Sequence, residues 1–161
     1  METCEVLCYG EIGVDNIIKA DGLPSPENAI FPISDSYHGG GAAANTAVWL
    51  SQMGVKVGLT GNAIGRDLYG DMILEGLRKH PNIDLTLVEQ REDVTTPFTR
   101  AIVTPDGERS FLIFGYPQAP KVQLTKERLQ GVRYVALDLY GGPERLETAP
   151  LAFESGVSTA I

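Results

Sequence analysis

Two acids, one asparagine and a run of glycines stand in settings where their chemistry could be used. Asp15 lies in YGEIGVDN, just beyond a short apolar segment and flanked by Gly10 and Gly13. A carboxylate can accept hydrogen bonds from two hydroxyls at once, and the C-terminal edge of a parallel sheet is where such folds bind ligands. Asp138, near the end of YVALDLY, invites the same reading; for both acids a capping or solvated turn role is the alternative. In YHGGGAAANTAVWL, Gly39, Gly40 and Gly41 abut a helix-like stretch of small residues. Glycines at that position let a ligand meet backbone N–H groups and the helix N-terminus, whereas a plain flexible turn would need no such neighbour. Asn45, polar among alanines, either braces the glycine turn or reaches a hydroxyl-bearing ligand, and residue type leaves both open.

Nucleotide signatures are weak. Gly39, Gly41 and Ala44 form a relaxed G-x-G-x-x-A, but a dinucleotide fold needs an acid at the end of the next strand, which here reads Thr60-Gly61-Asn62. No G-x-x-x-x-G-K-[ST] occurs, so no ATP or NAD site is visible in these residues. Cys4 and Cys8 fall four apart on one strand, roughly 13 Å and therefore beyond disulfide reach, which makes them reduced core thiols. His38 and His80 are the only histidines and form no spaced metal cluster with the cysteines.

The elements that must position these residues alternate between strand and helix patterns, which predicts an α/β fold with a mostly parallel sheet and flanking helices. Residues 6–9 read as the first strand and 42–53 as a buried helix stopped by Gly54, with Trp49 in the core. Residues 55–60 read as a strand. Asp67 stands at the N-cap position of a helix through LYGDMILEGLRKH, and a strand over 83–88 follows. Residues 16–20 and 33–37, and the hairpin 98–104/109–115 around the PDGE turn, break the βα rhythm and are predicted to lie outside the main sheet. Thr125 heads a short helix, 134–140 is a strand, PERLETAPLAFES is a helix with Pro143 in its first turn, and GVSTAI opens one more strand.

The chain has 161 residues, 43% hydrophobic and 21% charged, with formal net charge −8 and pI near 4.7. One domain of ordinary size is expected. The acidic balance and the lack of a Lys/Arg cluster make nucleic acid and anionic membrane poor partners. No apolar run reaches the length of a membrane span and the N-terminus lacks the build of a signal peptide, which favours the cytoplasm.

In order and spacing these segments resemble the ribokinase-like (PfkB) family of carbohydrate and nucleoside kinases. The resemblance rests on GEIGVD with Asp15, GGGAAANTA with Asn45, the Gly54 stop and GRDLYG, and it runs along nearly the whole chain. It implies a small β lid, formed by the strands near 16–37 and 98–115, inserted in the α/β core. It also implies a sugar or nucleoside acceptor contacted by Asp15, Gly40, Gly41 and Asn45, with Gly13 beside them. Phe98 and Arg100 on a lid strand would cover the acceptor, and Arg100 would suit an acidic or phosphorylated one. Gly13 stands where ribokinases often carry Asn, and Ala42 where the glycine motif carries Lys, which argues against ribose. The family's catalytic Asp belongs to a G-A-G-D motif that is absent from these residues. The resemblance therefore implies the acceptor-binding half of a kinase, a fold incomplete at its C-terminus, with ATP and Mg²⁺ expected for the full-length enzyme and little activity from these residues alone. A non-catalytic sugar-binding module, or one that dimerises through the lid strands, is a second expectation. A dinucleotide-binding oxidoreductase is a weaker third.

Overall fold

The computed structural model describes residues 4–27, 29–139 and 143–161. Its centre is a five-stranded parallel sheet in the order β11-β10-β1-β4-β6. β1 (Val6–Gly10) and β4 (Val57–Gly61) lie in the middle, with β10 (Tyr134–Leu137) and β11 (Ser158–Ala160) on one side and β6 (Ile83–Asp84) on the other. Strands covered on both faces must be apolar at nearly every position, and Leu7, Cys8, Val57 and Leu59 are all fully buried. The two thiols are reduced and buried, and burial pushes that of Cys8 up to about 12.

Helices flank this sheet. α1 (Ala42–Gln52) lays Ala43, Ala44, Ala47 and Ser51 on the core, and small residues at those positions bring its backbone close to the strands. Trp49, expected inside, is 64% exposed instead. It stands two residues after Ala47, about 200° further round the helix, so burying the alanine stripe turns the indole outward. α2 (Leu68–Leu77) buries Ile73, Leu74 and Leu77. Its N-cap is Asp67, whose Oδ1 accepts from the Gly70 N–H at 2.8 Å while Oδ2 accepts from the Thr96 N–H at 2.9 Å. The strand expected over 83–88 stops at Asp84, because the Asp84 carboxylate accepts from the Thr86 N–H and a Leu85–Val88 turn takes the chain off the sheet. α3 (Glu144–Glu154) precedes β11, and the helix predicted at 125–131 is a single 3₁₀ turn, Glu127–Leu129.

A second sheet of four strands runs β3-β2-β8-β9. It comprises β2 (Gly13–Lys19), β3 (Ser34–Gly40), β8 (Phe98–Val103) and β9 (Arg109–Phe114), so all the segments predicted to break the βα rhythm lie together outside the main sheet. A further pair, β5 (Ile64–Gly65) with β7 (Gln90–Arg91), is too short for any hydrophobic period to announce it. Only Glu11 and Ile12 separate β1 from β2. Asn62, fully buried just past β4, clamps that link by accepting from the Ile12 N–H at 2.9 Å and donating to the Ile12 carbonyl at 2.9 Å. No helix of the described residues is long and apolar enough to cross a membrane.

Candidate active site

The carboxyl edge of the main sheet meets the first residues of the second sheet, and most of the polar side chains identified from sequence gather there. Asp15 lies inside β2, not in a loop, directly opposite His38 of β3 and Thr99 of β8. Directly paired residues share a sheet face, so Asp15 and Gly40, two residues on from His38, face the same way. The Asp15 carboxylate occupies the volume that a side chain at Gly40 would fill. Gly41, at φ 93°, is held differently: a Cβ there would strike the Glu11 carbonyl and the Ile12 backbone. Gly41 is thus required by the backbone itself, whereas a side chain at Gly40 would displace the Asp15 carboxylate. Gly39 has open space around it.

Asp138 follows β10 and its carboxylate accepts a short hydrogen bond from the Glu11 N–H, filling the space above Gly10. A side chain at Gly13 would strike both the hydroxyl of Tyr116 and the Pro97 carbonyl. Tyr116 is 6% exposed and sits on the strap that leads from β9 back to the main sheet, where Ala63 donates to the Pro120 carbonyl and Val122 to the Gly61 carbonyl. Its hydroxyl is hydrogen-bonded by Thr99 and flanked by Glu11, Asp15 and Asp138. Burial first, then the neighbouring carboxylates, push its titration far above the usual phenol range, so it stays a neutral hydroxyl.

The acids respond to the same surroundings. Burial raises Asp15 above the ordinary carboxylate value, with His38 opposing. Burial also raises Glu11, helped by Asp138 and Asp15 and opposed by Lys121. Among the described residues the Asp15 and Asn45 side chains make no hydrogen bond to protein, which leaves both available to a ligand. Asn45 is exposed on α1 and lines a cleft of about 220 Å³ between α1 and α2, together with Gly39, Gly40, Ala44 and His80. Gly40 is the residue common to that cleft and to the Asp15 contact.

Phe98 and Arg100 are not brought to this face. They pair with Val14 and Asn16, on the side of the second sheet that carries Tyr37 and, from α2, Tyr69; Phe98 packs on Tyr69 at 5.5 Å and on Phe114 at 4.5 Å between ring centroids. Strand alternation puts Thr99, with Ile113 across from it, on the Asp15 face instead. Glu11, Tyr116 and Lys121 escaped the sequence reading. Glu11 could have been found, since it is the first residue past β1, but the approach of Tyr116 depends on a contact 103 residues away from Gly13 that no local pattern encodes.

The model of the pfkB family carbohydrate kinases matches residues 4–139. The chain belongs to this family. Among curated pfkB relatives it is 27% identical over 137 residues to the probable fructokinase-2 of Arabidopsis thaliana, a match covering 84% of this chain and 40% of that protein. It is 28% identical over 113 residues to the nucleoside kinase of Methanocaldococcus jannaschii, covering 69% of this chain and 36% of that one. Among solved structures, Arabidopsis thaliana ribokinase complexed with ribose and ATP superposes with TM-score 0.83 at 19% identity, covering 98% of this chain and 52% of its own. The chain thus spans about two fifths of the length of the curated relatives it matches and about half of that ribokinase. At that level of identity the superposition shows the ribokinase-like fold.

Proposed function

We propose that the whole protein transfers the terminal phosphoryl group of ATP to a hydroxyl of a sugar or nucleoside, and that these residues supply the acceptor site. The observation that carries this reading is the Asp15 carboxylate: half-buried, raised in titration, seated against Gly40 and making no hydrogen bond to protein among the described residues. A carboxylate so placed binds neighbouring hydroxyls, and the ligand's hydrogen bonds offset its desolvation. Gly40 joins Asp15 to the cleft that Asn45 lines, Gly41 closes on the Glu11–Ile12 backbone, Gly13 admits Tyr116, and Asp138 fixes the backbone at Glu11.

The residues described here do not fit ATP or Mg²⁺. The one glycine turn that opens a helix holds the Asp15 carboxylate against Gly40, which repels a phosphate from that helix N-terminus, and no group of three His, Cys, Asp or Glu among the described residues could hold a metal. The nucleotide and the metal are therefore assigned to parts of the protein outside these 161 residues, and so is the base that takes the acceptor's proton. What this half contributes is orientation of the attacking hydroxyl.

The test is to supply the whole protein with Mg-ATP and a panel of sugars and nucleosides and to follow ADP release. Turnover on at least one acceptor, reduced at least about a hundredfold by Asp15→Asn, is expected; unchanged kinetics in that variant would remove Asp15 from the site. Residues 1–161 alone are expected to give none. A second reading, assembly through the second sheet, is favoured by the edge strand β9, where Phe111, Leu112, Ile113 and Phe114 are all exposed. Light scattering on the eluted protein distinguishes a dimer from a strict monomer, and the latter would end that reading.

A further inference from the structure

We propose that the acceptor site takes an uncharged polyhydroxyl compound and rejects its phosphate esters, with Tyr116 closing the side of the site next to Gly13. The inference rests on the kinase reading above and adds the class of acceptor. Its ground is the composition of the face that Asp15 shares. The Asp138 carboxylate accepts from the Glu11 N–H, the Tyr116 hydroxyl stands over Gly13 two residues from Asp15, and Asp15 and Asp138 both raise the Glu11 carboxyl, so three carboxylates lie within electrostatic reach of a single buried group. Opposing them are the Lys121 ammonium, whose Nζ donates to the Tyr116 carbonyl at 3.3 Å, and the His38 imidazole opposite Asp15, which shares a hydrogen bond with Ser36 at 2.9 Å. The guanidinium that would welcome a phosphate, Arg100, is on the opposite face of the sheet beside Phe98. A dianionic ester brought to the Asp15 face would meet more negative than positive charge in a partly desolvated place, where like charges repel strongly.

Tyr116 supplies the shape. Its hydroxyl stands where a side chain at residue 13 would begin, and its ring is held by a strap tied to the main sheet at Gly61 and Ala63. A neutral hydroxyl wedged there can exchange hydrogen bonds with Thr99 or with a ligand hydroxyl but offers no charge to an anion. Gly13 and Tyr116 therefore act as one unit: the residue at 13 has to be small because the Tyr116 hydroxyl, with the Pro97 carbonyl beside it, fills that side.

Matched pairs decide the matter: a free pentose, hexose or nucleoside and the phosphate ester of each, titrated by calorimetry into the whole protein. At least one free compound should bind at least about tenfold more tightly than its ester, and Glu11→Gln should narrow that ratio by several-fold without abolishing binding of the free form. Tyr116→Phe, which keeps the ring, should raise KM for the acceptor up to about tenfold with kcat nearly unchanged, and Tyr116→Ala combined with Gly13→Ser should recover part of the stability that Gly13→Ser alone loses. If an ester binds as well as or better than its free partner, the assignment of acceptor class is overturned while the kinase reading stands. If neither member of any pair binds, the kinase reading itself fails and takes this inference with it. If Gly13→Ser is as stable as wild type, the Tyr116 wedge is refuted.

Discussion

The two sheets use their side chains in opposite ways. In the parallel sheet, β1 and β4 are covered on both faces and every position of β4 is buried, including Thr60, whose hydroxyl donates to the Leu87 carbonyl. In the second sheet β9 is exposed at five of six positions and β3 at six of seven, although β9 is built from Phe, Leu and Ile. A strand at the centre of a layered fold is held by packing; one at the open edge is held by its ladder and by whatever covers it. The candidate site lies at the seam: Asn62 and Asp138 belong to the packed side, while Asp15 and Thr99 belong to the open one.

The largest test of that contrast is Leu59→Ala. Leu59 is fully buried in the middle of the parallel sheet, and the cavity left behind should cost about 2–5 kcal/mol in a denaturant titration followed by circular dichroism. A loss below about 1 kcal/mol would mean that the parallel sheet is not the stabilising layer.

An intermediate effect is expected at the seam, where two acids should respond to pH with opposite sign. Burial pushes Asp67 upward, but hydrogen bonds from Thr96 and Gly70 outweigh it and hold the carboxyl below its usual value. Its stabilisation is therefore present above the ordinary aspartate value and lost as pH falls through the lowered folded value. Asp67→Ala, which removes the α2 cap and the Thr96 tie together, should cost about 1–3 kcal/mol at pH 7, and the difference from wild type should shrink in acid. Asp15 is raised in the folded state, so its favourable contribution is present below the ordinary aspartate value and lost as pH rises through the raised one. Unliganded Asp15→Asn should accordingly be at least as stable as wild type at pH 7 while acceptor binding is lost. Thermal melts across pH 3–8 check both, and parallel profiles for the two variants would erase the distinction.

What the sequence could say about these regions follows from how local each cause is. The Asp67 cap, the helix on small residues after Gly41 and the hairpin around PDGE are written within a few residues of themselves, and each is present. Trp49 turns outward because the alanine stripe, rather than the hydrophobicity of one residue, decides which face of α1 turns in. Residue type and position mark Asp15 as a candidate, but the face of β8 that accompanies it is not local: Thr99 rather than Phe98 or Arg100 is fixed by the Asp15–Thr99 register, a pairing across 84 residues. Glu11, Tyr116 and Asn62 matter through contacts of this long-range kind.

The smallest effect is predicted for Leu112→Ser on β9, 53% exposed in an open strand: a change in stability within about 0.5 kcal/mol. A larger loss would show that β9 is covered in solution, which light scattering on the same samples would then register as assembly.

The two-residue link at Glu11 and Ile12, clamped by Asn62, has a mechanical consequence. It is a pivot placed at one end of β2. Asp15 is the third residue of that strand and Lys19 the seventh, so with about 3.3 Å per residue the far end swings through an arc roughly twice as long as residue 15 does for any given rotation. A lever hinged this way can lift its outer rim clear of the sheet while the group nearest the fulcrum stays almost in register with Gly40.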